Sequence, residues 1–383
     1  MQVEFEHVTS ISQVTNSQWQ SLVEGEYPFL QYEYLRLLES SNCACTDTGW
    51  QPFHLLLKDA QKQLIAALPL YIKTHSYGEY VFEWSWADAY RRYGFQYYPK
   101  LLSAVPFTPV TGARLLCKDE ALRAELWPLV AAHIEQQCEQ LGLSSFHLLF
   151  PQNKLKQQTN ETAWLSRQSV QFQWFNKSYC CFDDFTQTFT SRKRKNLKKE
   201  RAKVVNQGIV VQRLYGEALT KQHMDEFYLF YKQTYLKRSG HEGYLSEVFF
   251  AGLLEYLAKN VMLVRAVKND TAIAGALYFF DKNGLYGRYW GCIEEVDALH
   301  FECCYYQGIE FCIEHKLPLF NPGTQGEHKI QRGFEPIICH SQHWIVDTQF
   351  REAISRFTQQ ETEHVQHYQK EAATLLPFKA SES

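Results

Sequence analysis

The 383-residue sequence has no apolar run approaching the roughly 20 residues that cross a bilayer. Its first residues, Met1 to Ser10, lack the basic stretch followed by an apolar one that marks a secretory leader. A cytoplasmic protein is expected, with membrane contact no more than peripheral. The eleven cysteines are an odd number, include the adjacent pairs Cys180-Cys181 and Cys303-Cys304 and one Cys43-Ala-Cys45, and contain no CxxC. That usage fits reduced thiols better than a disulfide frame or a zinc site. Signatures of nucleotide and hydrolase sites are missing too: there is no GxGxxG, no GxxxxGK[ST], no GxSxG and no HExxH. His340-x-x-His343 has no third ligand nearby, and no metal or bound cofactor is expected. Net charge is only −3, so the chain as a whole has no gross attraction for nucleic acid or anionic lipid. With 45% hydrophobic and 21% charged residues it is neither disordered nor fibrous, and its length suits two domains.

Aromatic residues make up 15% of the chain, which leaves rings for lining clefts. Charge is concentrated in one place. Between Ser191 and Lys203 lie eight cations against a single acid, Glu200. Their spacing predicts a helix with cations all round, docked by Leu197, Ala202 and Val204, capped by Ser191 and closed near Gly208. Such a segment is either a solvated helix face or a phosphate-binding surface, on which Arg192, Lys195, Lys198 and Lys199 would contact a polyanion such as tRNA, coenzyme A or a lipid pyrophosphate.

The second half parses into a helix from Ser246 to about Asn260 and strands at Val261 to Val267, Ala272 to Phe280 and Leu285 to Gly291. Asp281-Lys-Asn-Gly284 is the hairpin turn within this antiparallel meander. A helix capped by Asp297 and reaching about His315 follows, then a strand at Leu317 to Asn321. The first half runs in similar order. A hairpin joins Phe53 to Leu57 with Leu64 to Ile72, a strand lies near Leu101 to Val105, a helix runs from Asp119 to Leu141, and a strand covers Ser145 to Phe150. A polar stretch, Gln152 to Thr162, is the expected boundary, and Thr348 to Ala373 reads as a mostly polar C-terminal helix. The expected domains are 1–165, 166–345 and an appendage at 346–383.

Two stretches carry a resemblance. One is Tyr77-Gly-Glu-Tyr-Val-Phe-Glu-Trp-Ser-Trp-Ala-Asp-Ala-Tyr90, continuing through Val105-Pro-Phe-Thr-Pro-Val-Thr-Gly112. The other comprises Gly287-Arg-Tyr-Trp-Gly291, His300-Phe-Glu302, Cys304-Tyr-Tyr-Gln-Gly-Ile-Glu310, Asn321-Pro-Gly-Thr-Gln-Gly-Glu-His-Lys329 and Arg332-Gly-Phe334. The sequence resembles a bacterial family named for peptidoglycan biosynthesis or recognition, within the acyl-CoA N-acyltransferase (GNAT) superfamily. More distantly it is similar to Fem-type aminoacyl transferases. The resemblance implies an α/β fold of two GNAT-like domains with mixed, mainly antiparallel sheets. The implied activity is N-acyl or aminoacyl transfer to an amine on a small-molecule or lipid-linked acceptor, with 1–165 as the acceptor-binding half and 166–345 as the catalytic half. The rival is a non-catalytic module binding cell-wall precursor or RNA. The segment Cys292-Ile-Glu-Glu-Val-Asp-Ala298 replaces the glycine-rich pyrophosphate turn of acetyl-CoA enzymes with three carboxylates. That counts against acetyl-CoA and leaves aminoacyl-tRNA or an unusual acyl donor, with other acyl-CoA donors open.

N-acyl transfer needs a base for the ammonium proton and donors for the developing oxyanion. The second motif supplies Glu302, Glu327, His328 and Arg288 as catalytic candidates, with Glu302 or Glu310 expected to pair with Arg288. Tyr306, Glu310, Asn321, Gly326 and Lys329 are candidates for holding substrate. In the first motif Trp84, Trp86, Tyr90 and Arg91 form either an aromatic core beneath a loop or an acceptor-binding wall, since rings stack on sugars and arginines pair with carboxylate or phosphate.

Overall fold

A computed structural model describes residues 2–152, 164–324 and 326–379. Most of the expected boundary stretch, 153–162, lies outside the described residues, as does Gln325 of the glycine-rich turn. The chain divides into two compact units that are not consecutive in sequence. The first comprises Met1–Val170 with Ile338–Tyr368, and the second Gln171–Ile337 with Gln369–Ser383. A strand and most of the last helix, which a linear division assigns elsewhere, thus belong with the N-terminal residues.

In the first unit, His54–Lys58 pairs antiparallel with Leu64–Leu68, as the hairpin pattern predicts. The expected continuation to Ile72 breaks at Pro69, and Tyr71–Lys73 joins a different sheet, pairing with Trp50–Pro52 and Lys100–Ser103. Proline cannot donate to a ladder, and the next N–H, that of Leu70, donates to the ring of His54 at 3.2 Å. From Lys100–Ser103 the chain crosses through the helix Glu120–Gln140, capped by Asp119, to the parallel strand Ser145–Leu149. That helix packs Leu126, Trp127, Val130, Ile134 and Cys138 onto Leu101, Phe146 and Leu148. Residues 341–345 pair antiparallel with Ser145–Leu149. His340 and His343 lie on this strand, where an i, i+3 pair points to opposite faces.

The second unit is built on a meander. Val261–Lys268, Thr271–Asp281 and Gly284–Cys292 pair antiparallel, with Ile209–Tyr215 on the edge. The Asp281 carboxylate accepts from the Asn283 and Gly284 N–H groups at 2.9 and 3.0 Å, which is the turn chemistry its sequence encodes. Gly291 admits a close neighbour: a Cβ there would lie 2.2 Å from the backbone of Phe230 in the helix Lys221–Ser239. The following helical segment opens at Ala298, in the left-handed region with φ 67°, and the expected cap Asp297 instead pairs with Lys203 at 2.7 Å. It runs as Leu299–Phe301, a wider π turn at Glu302–Tyr306, and Gln307–Glu314. The chain then returns as Leu319–Asn321, parallel to Gly284–Cys292. Each unit therefore repeats one connection, strand to helix to parallel strand. The fold is mixed α/β with mainly antiparallel sheets, as the element order predicts.

Candidate functional site

The candidate residues of the second unit gather where two parallel strands part. Their pairing is confined to Leu285 with Phe320 and Tyr286 with Asn321. Just beyond it Arg288 donates from Nη1 to the Gly287 carbonyl at 2.6 Å, the Asn321 carbonyl at 3.1 Å and the Asn321 side-chain oxygen at 3.2 Å. The same Asn321 oxygen accepts from the Gly323 N–H at 3.0 Å, and the Gly323 carbonyl accepts from Lys329 Nζ at 2.8 Å. Lys329 is only 2% exposed. Burial, and then the neighbouring Arg288 charge, pull its amine down to about 7.

His328 sits on the short helix Glu327–Arg332, with Nε2 2.7 Å from the Tyr305 hydroxyl. Its ring packs near Phe301 and crosses over Gly326, where φ is 103° and a Cβ would come within 2.1 Å of the ring. His328 is nonetheless exposed. Burial of the packed side, then Arg332 and Lys329, lower its pKa to about 4. Glu327 is exposed.

A second group lies against the basic helix Ser191–Asn206. Its N-cap is Thr190 rather than Ser191, and Leu197 and Val204 dock it while Ala202 stays exposed. The cations do not all face outward. Arg201 turns in and forks onto Glu302, with bonds of 3.0 and 2.8 Å, and reaches Glu310 at 2.6 Å. Gln307 adds a 2.7 Å bond to Glu302, so both oxygens of that carboxylate are occupied by donors. The expected pairing of Glu302 or Glu310 with Arg288 is thereby replaced: Arg201, which lies about a hundred residues earlier in sequence, is the partner. Tyr306 donates to Glu200 at 2.5 Å. Arg192, Lys195 and Lys199 remain exposed, and Lys198 lies 3.6 Å from Asp183. Lys195, Lys198 and Lys199 line a concavity of about 430 Å³ with Ser191, Arg194 and Ala202.

The carboxylates of the 292–298 turn are each met by a lysine: Glu294 by Lys268, Glu295 by Lys237 and Asp297 by Lys203. Their repulsion of a phosphate is correspondingly smaller than the bare sequence implies.

In the first unit the candidate ring wall is split. Trp86 and Tyr90 are each 3% exposed and pack in a core with Tyr97, Leu165, Ile345 and Ile354. Trp84 is exposed and meets two other exposed rings, Tyr77 at 5.7 Å and Phe82 at 6.3 Å. Arg91 is paired on the surface with Asp88 at 2.6 Å. The unit also buries an ion cluster absent from the sequence-based candidates. Lys100 Nζ bonds Glu79 at 2.7 Å and Glu83 and Ser76 at 2.9 Å, all fully buried. Burial opposes the charge on Lys100, yet the two carboxylates outweigh it and raise its pKa. The signal available was a lysine opening the apolar strand Lys100-Leu-Leu-Ser103.

The sequence matches the FemAB-like family, described as peptidoglycan biosynthesis/recognition, over residues 10–380. The chain belongs to the FemAB-like family. Among curated proteins none matches it. Solved structures resemble this FemAB-like chain at low identity. FemX aligns with a TM-score of 0.54 and 10% identity, covering 92% of this chain and all of that one. A conserved protein of unknown function from Bacteroides thetaiotaomicron VPI-5482 gives 0.54 and 8%, covering 89% and 100%. L-PGS from Bacillus licheniformis gives 0.50 and 9%, covering 84% and 94%. These likenesses establish that the chain shares its fold with those structures. Among the described residues no helix is long and apolar enough to cross a membrane, and no group of three acidic, histidine or cysteine side chains is placed to hold a metal.

Proposed function

We propose that the second unit of this FemAB-like chain is an N-acyltransferase centre that moves an aminoacyl group from a tRNA ester to an amine on a cell-wall precursor. The observation that carries this reading is Lys329, a buried amine of pKa about 7 beside Arg288 and Asn321 at the point where the strands part. In the reaction the acceptor nitrogen attacks the ester carbonyl, a C–N bond forms and the ester C–O bond breaks. The ammonium proton passes to Lys329, whose pKa is matched to neutral pH, and from there to the departing ribose oxygen. Arg288 supplies fixed positive charge for the oxyanion. His328, at about 4, is too weak a base to hold an ammonium proton near neutrality and serves as the neutral partner of Tyr305. Glu302, fully occupied by Arg201 and Gln307, is a structural carboxylate in this scheme. The cations of the basic helix hold the donor's phosphates.

The test offers purified protein charged tRNA, acyl-CoA and amine-bearing muropeptide precursors, with product read by mass spectrometry. Transfer from charged tRNA, reduced about 10²- to 10⁴-fold in Lys329→Met, is the expected result. Undiminished turnover in that variant would remove Lys329 from the chemistry. Binding of precursor or RNA without transfer from any donor would leave a recognition module.

A further inference from the structure

The basic helix carries its cations outward, yet two adjacent residues near its middle reach inward to different segments of the second unit. Arg201 grips Glu302, the first residue of the π turn at Glu302–Tyr306, and Glu310, one helical turn beyond its end. Glu200 accepts from Tyr306, the last residue of that turn, and from Arg332 Nη2 at 2.8 Å. Arg332 in turn donates to the His328 carbonyl at 2.7 Å and lays its guanidinium 3.4 Å above the Phe301 ring. A π turn is less stable than the α-helix it interrupts and persists where something outside holds it. Here the residues held are Glu302, Tyr306 and Glu310, on the same helical segment as Tyr305. The segment held through Arg332 carries His328 and Lys329.

The geometry points to Glu200 and Arg201 as positioning residues that couple the outer, phosphate-binding face of the basic helix to the arrangement of Tyr305, His328 and Lys329. This rests on the transfer reading above. The sixteen-residue helix is short and stiff, and its inward pair lies within one turn of Lys198 and Lys199. A polyphosphate ligand that draws the helix toward itself therefore pulls on both segments through charge-assisted bonds. By reciprocity, whatever fixes those segments also tightens the polyanion.

The experiment follows the His328 ring Cε1–H by NMR, assigned with His328→Gln, in the parent, Glu200→Gln, Arg201→Lys and Arg201→Met. Thermal melts verify that each variant is folded. Without ligand, Glu200→Gln and Arg201→Met should displace or broaden the His328 signal, whereas Arg201→Lys, which keeps the charge, should stay near the parent. Unacylated tRNA should shift the signal in the parent. In Glu200→Gln it should still bind with the parental salt dependence but shift the signal little, and its affinity should fall about fivefold or more. A His328 signal identical in all four proteins would reduce both ion pairs to local architecture and overturn the proposal. So would a tRNA-induced shift of equal size in parent and variants. If tRNA fails to bind the parent, the donor assignment falls, and the ligand-free spectra alone decide the positioning role. Should Arg201→Met not fold, the near-isosteric Glu200→Gln carries the comparison.

Discussion

At the scale of single residues, Lys329 shows what burial does to an amine. Its folded pKa is about 7, against an ordinary lysine value of about 10.4 in the unfolded chain. Between those values the unfolded state binds more protons, so the parent gains stability as pH rises through that window and carries the full penalty below it. Replacing Lys329 with Met should raise the thermal midpoint near pH 7. The advantage should shrink by roughly 1.4 kcal/mol per pH unit up to about pH 10. Chemical denaturation of both proteins at pH 6, 8 and 10 measures this. A gap independent of pH would mean that the amine is ionised and solvated in the folded state. The residue types of this site were legible, since Arg288, Asn321, His328 and Lys329 all stand out in the second motif. Their roles were not. A carboxylate on a helix face such as Glu302 offers no hint, within its own segment, that Arg201 will occupy it.

At the scale of elements, local chemistry and long-range contact divide the outcome. The turn at Asp281 to Gly284 was readable because its own carboxylate satisfies its own N–H groups. The helix start at Asp297 was misread because Lys203 claims that carboxylate and leaves Ala298 to open the helix. The π turn at Glu302–Tyr306 likewise has no signature in its own residues, since its partners are Glu200 and Arg201. The basic helix allows a direct measurement. Replacing Lys195, Lys198 and Lys199 with Ala should weaken tRNA binding and flatten its salt dependence. Each lost phosphate contact removes about one unit from the slope of log K against log salt. A slope equal to the parent's would make this face an ordinary solvated surface.

At the scale of the whole molecule, the chain does not divide linearly. Residues 338–368 return to the first unit, where Trp344 and Ile345 are buried and Phe350 stacks on Tyr90 at 3.8 Å. Residues 2–170 expressed alone should therefore melt without a sharp transition, and co-expression with 338–368 should restore one. Cooperative unfolding of 2–170 by itself, followed by circular dichroism, would show that the returning strand and helix are dispensable. The sequence alone determined the α/β class, the meander with its hairpin turn, the helix–strand order repeated in both halves, and the concentration of cations in one helix. All of these follow from periodicity, caps and turn residues within a few positions of one another. The tertiary structure decided which charges meet. It set Arg201 on Glu302, Lys100 among Glu79 and Glu83, and Lys329 on the Gly323 carbonyl. Side-chain pairing across a hundred residues depends on which surfaces are pressed together and dried. That is a property of the packed chain, not of any segment in it.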